Sequence, residues 1–538
     1  MDSIMQSTYD EKEKVWSGFK GLPMYHQDCS VGRVIHKALK SFPKNVCELN
    51  AVDGKATTNQ DMLNWSVRIA QHLRKRFIGR DDVIGLISRT NTYQTAVACA
   101  CFYNTTPFHA ISSHFNTDTL QHILSITKPK VIFCEVGDYE RIKDASSSWE
   151  RELVTLDGKI QDVVYVEELL EPTKTEMFFQ PQFLTLGESQ TMAILCSSGT
   201  TGLPKAVCMA NYLLLHLIEV PIYTSEMAIF SYSGLDWYSG LQQMLLGVGV
   251  GCTRIITNKE RTTEDLLDII EKYKVNMVGL GSSHVAELIA SPLAKAERLT
   301  SLRVVFISGG WISDNALRKM EELAKLAFIF YGYGTTEIGA ISASFSAAKF
   351  GNTVGKLIPG ARGRIVSDEG MALGPKEIGE ILIHNGHKEW HGYYGNQLET
   401  QKIFDSQSWF HTGDLGYFDE HHNLYIVDRK KDIYKCRGYH YWPNQIETVV
   451  ASLPQVQEVC VVGIHDENLD DAPAALVVLH PGKRLTKDDI KAHVAKTLQT
   501  EYMELHGGVY FADALPKNKN GKILRRDVKE AIIEAKAN

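Results

Sequence analysis

The sequence predicts an α/β protein, with a large N-terminal domain of stacked α/β units and a small α+β C-terminal domain. Three observations carry that prediction. At 538 residues the chain exceeds one ordinary domain. Segments of helical and strand period alternate along most of its length. Near Asp428 the composition changes, and a shorter set of elements follows.

The alternation begins with the strand VIGLIS, a helix through Ala96 to Phe102, another around Leu120 to Ile126, and the strand VIFCE. Further on, Leu266, Leu267, Ile269, Ile270 and Tyr273 form one helical stripe in the segment from Glu264 to Tyr273. A strand NMVGLG, a helix near His284 to Ile289, the strand RVVFIS, a helix from Asp314 to Leu326 and the strand FIFYG follow. Such β-α repetition implies a largely parallel sheet covered by helices. Past Asp428, the charged run VDRKKDIYKCRG lies between two apolar strands. A helix after Pro443, the strands VCVVGI and AALVVL, a helix from Lys487 to Leu498 and a basic tail complete the chain. Residues 1–428 and 429–538 are therefore expected to be separate domains. No fixed repeat or low-complexity tract is present.

Apolar residues make up 44% of the chain and charged residues 22%, a globular composition. A net charge of −7 argues against a broad grip on nucleic acid or anionic lipid. Ten cysteines are scattered without a C-x-x-C pair, which suits a reducing compartment better than a zinc site. The opening MDSIMQSTYDEKEK is polar and acidic, unlike a secretory signal or presequence. The stretch from Leu241 to Ile256 is broken by glycines and Arg254, so no transmembrane segment is expected. The final AKAN is not an S-K-L type address, and the cytoplasm is the expected compartment.

Five segments carry chemistry. The first, Cys196-Ser197-Ser198-Gly199-Thr200-Thr201-Gly202-Leu203-Pro204-Lys205, follows a buried strand and concentrates hydroxyls, glycines and one lysine. Backbone N–H groups exposed by glycine suit phosphate oxygens, and lysine adds a compact charge. It is no Walker loop, because Lys205 precedes Ala206 rather than Ser or Thr. The second, Tyr331-Gly332-Tyr333-Gly334-Thr335-Thr336-Glu337, sits at a strand's carboxyl end, where open α/β sheets bind ligands. Glu337 suits a magnesium ion shared with phosphates. Taken alone, each segment also reads as an ordinary polar or glycine-rich turn. The third and fourth are His411-Thr412-Gly413-Asp414 and Asp428-Arg429-Lys430-Lys431-Asp432. Asp414, expected in a tight turn, can accept both hydroxyls of a ribose. The DRKKD run alone reads as solvated surface. The fifth, Pro516-Lys517-Asn518-Lys519-Asn520-Gly521-Lys522, is a basic loop and says little by itself.

In this order and spacing, the five segments resemble the adenylate-forming superfamily of acyl-CoA synthetases, beetle luciferases and peptide-synthetase adenylation domains. The likeness is nearest to the luciferase and 4-coumarate–CoA ligase branch. It implies a fold in which the large domain also carries a small barrel-like β subdomain and the C-terminal domain is mobile. The implied activity is ATP-dependent conversion of a fatty or aromatic acid to acyl-AMP, then transfer to CoA. By the resemblance, Ser197, Ser198, Gly199, Thr200, Thr201, Gly202 and Lys205 hold ATP phosphates. Tyr333, Gly334, Thr335, Thr336 and Glu337 contact AMP and place Mg²⁺, while Asp414 and Arg429 hold the ribose. Lys522 bridges the acid's carboxylate and the α-phosphate. The small domain rotates about a hinge near Lys431, bringing Lys435 to the adenylate and Arg437-Gly438 to the CoA pantetheine.

The acid pocket departs from the family pattern. Trp237, in GLDWYSG, stands where close relatives have a histidine, and G-G-A-P becomes Gly309-Gly310-Trp311-Ile312. G-Y-Q-V becomes Gly438-Tyr439-His440-Tyr441, and the Gly of Pro-Lys-Gly becomes Ala206. Two indoles turned inward shorten or bend an acyl pocket; turned outward, they only pack between helix and sheet. Two other functions share the motifs: a luciferase-like monooxygenase, and a non-catalytic sensor of nucleotide or acid. Retention of Lys205, Glu337, Asp414, Arg429, Lys435 and Lys522 together argues against the sensor.

Overall fold

The computed structural model describes residues 6–20, 24–26, 28–197, 203–219, 222–344, 353–386, 390, 392–432, 434–437, 439–518 and 521–537. Two large sheets and a smaller third organise them. The first sheet has seven strands, in the order Lys205–Ala210, Thr191–Ser197, Phe108–Ile111, Ile84–Ile87, Val131–Cys134, Glu152–Thr155 and Val164–Tyr165. All its pairings are parallel except Thr191–Ser197 with Lys205–Ala210. The strands Ile84–Ile87, Phe108–Ile111 and Val131–Cys134 are buried at every position, which explains their unbroken apolar reading.

The second sheet has fifteen strands. Its parallel half runs Val46–Asn50, Thr253–Ile256, Ala228–Phe230, Met277–Gly281, Val304–Ser308 and Phe328–Thr335. Beyond Phe328–Thr335 it continues antiparallel through Gly339–Ser344 and Thr353–Leu357 to Leu424–Arg429, Phe410–Phe418, Gly379–His384, Arg362–Val366 and Val15–Gly18. The ends of this antiparallel run approach each other. The Gly18 amide donates to the Ala361 carbonyl at 2.8 Å, and a side chain at Gly18 would strike the carbonyls of Leu357 and Ile358. Trp16, fully buried, stacks on Phe418 with ring centroids 4.4 Å apart inside the curl. This is the barrel-like β unit.

Helices fill the space between the sheets. The helix Gln94–Tyr103 is buried at all ten positions. Gly32, on the helix Val31–Ser41, lies against the Phe102 backbone, where a Cβ would overlap it. The helix Thr263–Tyr273 buries Leu266, Leu267, Ile269 and Ile270 as its stripe requires, capped by Thr262 accepting from the Asp265 amide. The helix beginning at Asp314 ends at Leu323, three residues short of the predicted Leu326, which is exposed. In the Leu241–Ile256 stretch, the helix Tyr238–Leu245 passes into a π turn at Leu246–Val250 and stops at Gly251, whose φ is +93°. Arg254 then enters a strand, buried against Glu48 at 3.0 Å. Among the described residues no helix is long and apolar enough to cross a membrane.

The third sheet belongs to the C-terminal part. Val456–Asp466 and Asp470–Leu479 form its long hairpin, flanked by Tyr434–Cys436, Tyr439–Tyr441 and Gly508–Phe511. The helices Pro443–Ala451, Lys487–Leu498 and Arg525–Ala537 accompany it. Thr486 and Asp489 close a reciprocal capping box at the start of Lys487–Leu498. A short 3-10 turn, Lys430–Asp432, joins this part to the last strand of the large sheet.

Candidate active site

A cleft of about 2730 Å³ opens where the carboxyl ends of strands from both large sheets meet the C-terminal part. Ser197, Lys205, the run Tyr333–Glu337, Asp414, Arg429 and Lys522 all border it.

Ser197 ends its strand and Lys205 starts the return strand directly opposite. Ser198, Gly199, Thr200, Thr201 and Gly202 lie outside the described residues. Lys205 Nζ donates to Glu399 at 2.7 Å and lies 4.6 Å from the centroid of the Tyr393 ring. Hydrogen bonds from Lys205 and Lys402 hold the Glu399 carboxyl down to about 2. The Tyr393 hydroxyl donates to Glu337 Oε1 at 3.0 Å, and burial, then the Glu337 charge, keep that phenol neutral. The loop's lysine and the strand-end carboxylate are thus joined through one tyrosine.

Tyr333 lies on Phe328–Thr335, parallel to Val304–Ser308 on one side and antiparallel to Gly339–Ser344 on the other. Gly334 has no room for a side chain: a Cβ would stand 2.5 Å from the Gly339 carbonyl oxygen and 3.0 Å from Ala340 Cα. The Tyr333 hydroxyl donates to Asp414 Oδ2 at 2.5 Å, and Arg429 Nε lies 3.4 Å from Oδ1. Asp414 does not sit in a tight turn. It lies within the strand Phe410–Phe418, facing Arg429 across the ladder, and Gly413 beside it, at φ +69°, falls within the register shift of this strand against Gly379–His384. Burial raises the Asp414 carboxyl above its ordinary range, opposed by Arg429, Tyr333 and Lys522 in that order.

Gly309, at φ +90°, turns the chain after Val304–Ser308. Ser282 Oγ and the Tyr331 hydroxyl both donate to the Gly310 carbonyl, at 2.7 and 3.1 Å, fixing the turn that carries Trp311. Trp311, half-buried, and Trp237, 36% exposed, both border the cleft rather than pack within a core.

The loop carrying Lys522 reaches the cleft from the C-terminal part and seats on the helix Ser282–Ala290. Lys435 and Arg437 lie elsewhere. Both are exposed and away from the cleft, and Arg437 is ion-paired with Glu501. Gly438 lies outside the described residues, as does the side chain of Lys431, whose backbone lies in the 3-10 turn. Among the described residues, the structure brings Ser197, Lys205, Tyr333–Glu337, Asp414, Arg429 and Lys522 together and leaves Lys435 and Arg437 apart.

Several cleft residues carried no sequence signal of their own. Asp236, next to Trp237, has its carboxyl pushed up to about 6 by burial, against hydrogen bonds from its own amide, Ser112 and Trp237. Burial, then the positive charge of Arg261, takes His284 down to about 4; its Nδ1 accepts from the Gly281 amide at 3.2 Å. Behind Ser197, Cys196 Sγ lies 3.4 Å from His109 Nε2. Burial raises the thiol and drops the imidazole to about 3, so the pair is neutral packing and not a nucleophile. All ten cysteines are free.

Among the described residues, no cluster of three His, Cys, Asp or Glu is set to hold a metal by itself. A carboxylate on the cleft wall still fits Mg²⁺, which takes one or two carboxylates and fills its shell with water and phosphate. Glu337, which borders the cleft, could supply one. A carboxylate that can accept from ribose hydroxyls, an arginine beside it, two lysines and a glycine-rich strand end border one cleft, an arrangement that can hold a nucleoside triphosphate and a carboxylate together.

Comparison with known proteins identifies the family. Residues 36–394 match the model for AMP-binding enzymes, and residues 445–522 match that for the AMP-binding enzyme C-terminal domain. The chain is 27% identical to 4-coumarate–CoA ligase 3 of Oryza sativa subsp. japonica over 505 residues, 90% of this chain and 88% of that one. It is 26% identical to luciferin 4-monooxygenase of Photinus pyralis over 536 residues, 95% of this chain and 96% of that one. In fold, it resembles a benzoate CoA ligase from Burkholderia xenovorans LB400, with a TM-score of 0.82 at 18% identity, covering 93% of this chain and all of that one (100%). The chain belongs to the AMP-binding enzyme family, the adenylate-forming superfamily.

Proposed function

We propose that this protein is an AMP-forming acid–thiol ligase. One observation carries the reading: Lys522, from the C-terminal part, shares a single cleft with Lys205, Glu337, Tyr333 and Asp414 from the large sheets. In the first half-reaction a carboxylate oxygen attacks the α-phosphorus of ATP, forming acyl-AMP and releasing pyrophosphate. Lys522 neutralises charge on both the carboxylate and the α-phosphate as the fifth bond forms, a role suited to a long flexible cation. Ser197, the loop 198–202 and Lys205 hold the leaving phosphates; Lys205 exchanges Glu399 for them. Thr335 and Thr336 position the α-phosphate, and Asp414 with Arg429 fixes the ribose. Glu337 would hold Mg²⁺, which neutralises phosphate charge when bound.

In the second half-reaction the CoA thiol loses its proton and attacks the acyl carbon, and AMP departs. We assign it to a second orientation of domain 429–538 against domain 1–428, hinged near Lys431, in which Lys435, Arg437 and Gly438 reach the adenylate. The exposure of Lys435 in the present orientation supports that reading. The acid is compact: Trp237 and Trp311 border the cleft, and Phe306 lies across Gly332, its ring edge 3.0 Å from where a Cβ would be. The named activities of the rice and Burkholderia relatives favour an aromatic acid. Ten free cysteines support a reducing compartment such as the cytoplasm.

The test is acid-dependent pyrophosphate release over benzoate-like, cinnamate-like and short to long fatty acids, with and without CoA. The expected result is a compact acid that releases pyrophosphate, with CoA raising turnover and yielding thioester. Turnover with oxygen uptake and no thioester would favour the monooxygenase reading, which the Photinus relative supports. No release with any acid would point to the sensor.

A further inference from the structure

The described residues on either side of 519–520, in the loop that delivers Lys522, are tied to one another. The Gly521 amide donates to the Asn518 carbonyl at 2.9 Å, the Lys522 amide to Asn518 Oδ1 at 2.9 Å, and the Asn518 amide to the Lys522 carbonyl at 2.9 Å. Lys517 and Ile523 pair as a bridge across its base. Fixing Lys517 therefore fixes Lys522.

Lys517 is itself fixed across the domain junction. Its side chain is only 13% exposed, and Nζ lies 3.3 Å from Glu287 Oε1 and 2.8 Å from Glu458 Oε1. Glu458 belongs to the C-terminal strand Val456–Asp466, so that contact travels with the loop. Glu287 belongs to the large-domain helix Ser282–Ala290, where Arg261 also holds it. One turn earlier on the same helix, Ser283 and His284 press on Gly521, leaving no space for a Cβ. One face of one helix thus grips both ends of the loop.

We propose that Glu287 and Lys517 are positioning residues for adenylation, clamping the Lys522 loop onto the helix Ser282–Ala290. The inference rests on the reading of Lys522 as the adenylating lysine. Of the two Lys517 contacts, only that to Glu287 is lost when the domains part, so the pair favours the present orientation alone, as a two-state equilibrium requires of anything that biases it. A loop displaced by about 1 Å costs on the order of a hundredfold in rate, and the pair contributes through that displacement.

The test separates the half-reactions. Glu287→Gln keeps the side chain's volume and removes its charge. It should slow acid-dependent pyrophosphate exchange roughly tenfold or more. Thioester formation from supplied acyl-AMP and CoA should hold or quicken. Lys517→Arg should keep most adenylation, and the double variant Glu287→Gln with Lys517→Gln should be no slower than the slower single one. Equal loss in both half-reactions, or no loss in either, overturns the clamp. Should Glu287→Gln fail to fold, Lys517→Gln on the loop carries the same comparison. Lys522→Ala is run beside them. If it still forms acyl-AMP at near wild-type rate, the parent reading fails; if it alone abolishes adenylation while Glu287→Gln does not slow it, only the clamp fails.

Discussion

The Tyr333 hydroxyl donates to Asp414 at 2.5 Å, tying the end of the parallel half of the large sheet to its antiparallel half. The two residues stand 81 positions apart in the chain. Asp414 is only 5% exposed, so this donor and Arg429 largely determine whether its carboxylate stays charged and aimed.

Tyr333→Phe deletes that donor, together with the hydroxyl's hydrogen bond to the Thr412 side chain. A hydrogen bond to a charged, buried acceptor is worth about 1.5–3 kcal/mol. The variant should lose stability of that order in denaturant unfolding, and its KM for ATP should rise if Asp414 holds the ribose. An unchanged KM beside a lowered stability would make the contact structural only.

Asp236 supplies a pH dependence of stability. Burial raises its folded pKa from 3.8 to about 6. Between about pH 4 and 6 the folded state therefore holds more protons than the unfolded chain, and stability falls as pH rises through that window, then levels. Asp236→Asn should remove that part of the slope. The difference in unfolding midpoint between wild type and variant, followed from pH 4 to 7, reads it directly; a constant difference would refute it.

Trp311→Ala should lengthen the acid the cleft accepts. Replacing an indole by a methyl opens volume on the cleft wall, and a change of this kind shifts preference by roughly tenfold or more. The ratio of kcat/KM for palmitate over octanoate should rise in Trp311→Ala, with Trp237→Ala as the companion variant. A wild type that already prefers palmitate, or identical ratios in all three proteins, would remove the indoles from the pocket wall.

The sequence by itself determined what is local. The stripe in Thr263–Tyr273 and the apolar strands around VIFC and VVFIS announce themselves because each element's period records which face it buries. The phosphate loop and the lysine loop were assigned from the order and spacing of five segments and the family resemblance they carry, since each alone reads as an ordinary turn or basic loop. The helix Gln94–Tyr103, expected through Ala96 to Phe102 from its place in the β-α alternation, is buried on every side and so has no polar face for a period to mark. What only the tertiary structure decided is long-range pairing. Lys517 stands 230 positions from Glu287, Lys205 194 from Glu399, and Tyr393 56 from Glu337. An isolated charge in a sequence reads as solvated because water satisfies it as well as any partner. Which charges lose that water is set by how the sheets and the C-terminal part dock. Asp236 shows the same limit: one acid in a glycine- and serine-rich stretch becomes a cleft residue whose pKa is raised by burial, against the hydrogen bonds from Ser112 and Trp237, and that burial is set by the tertiary fold.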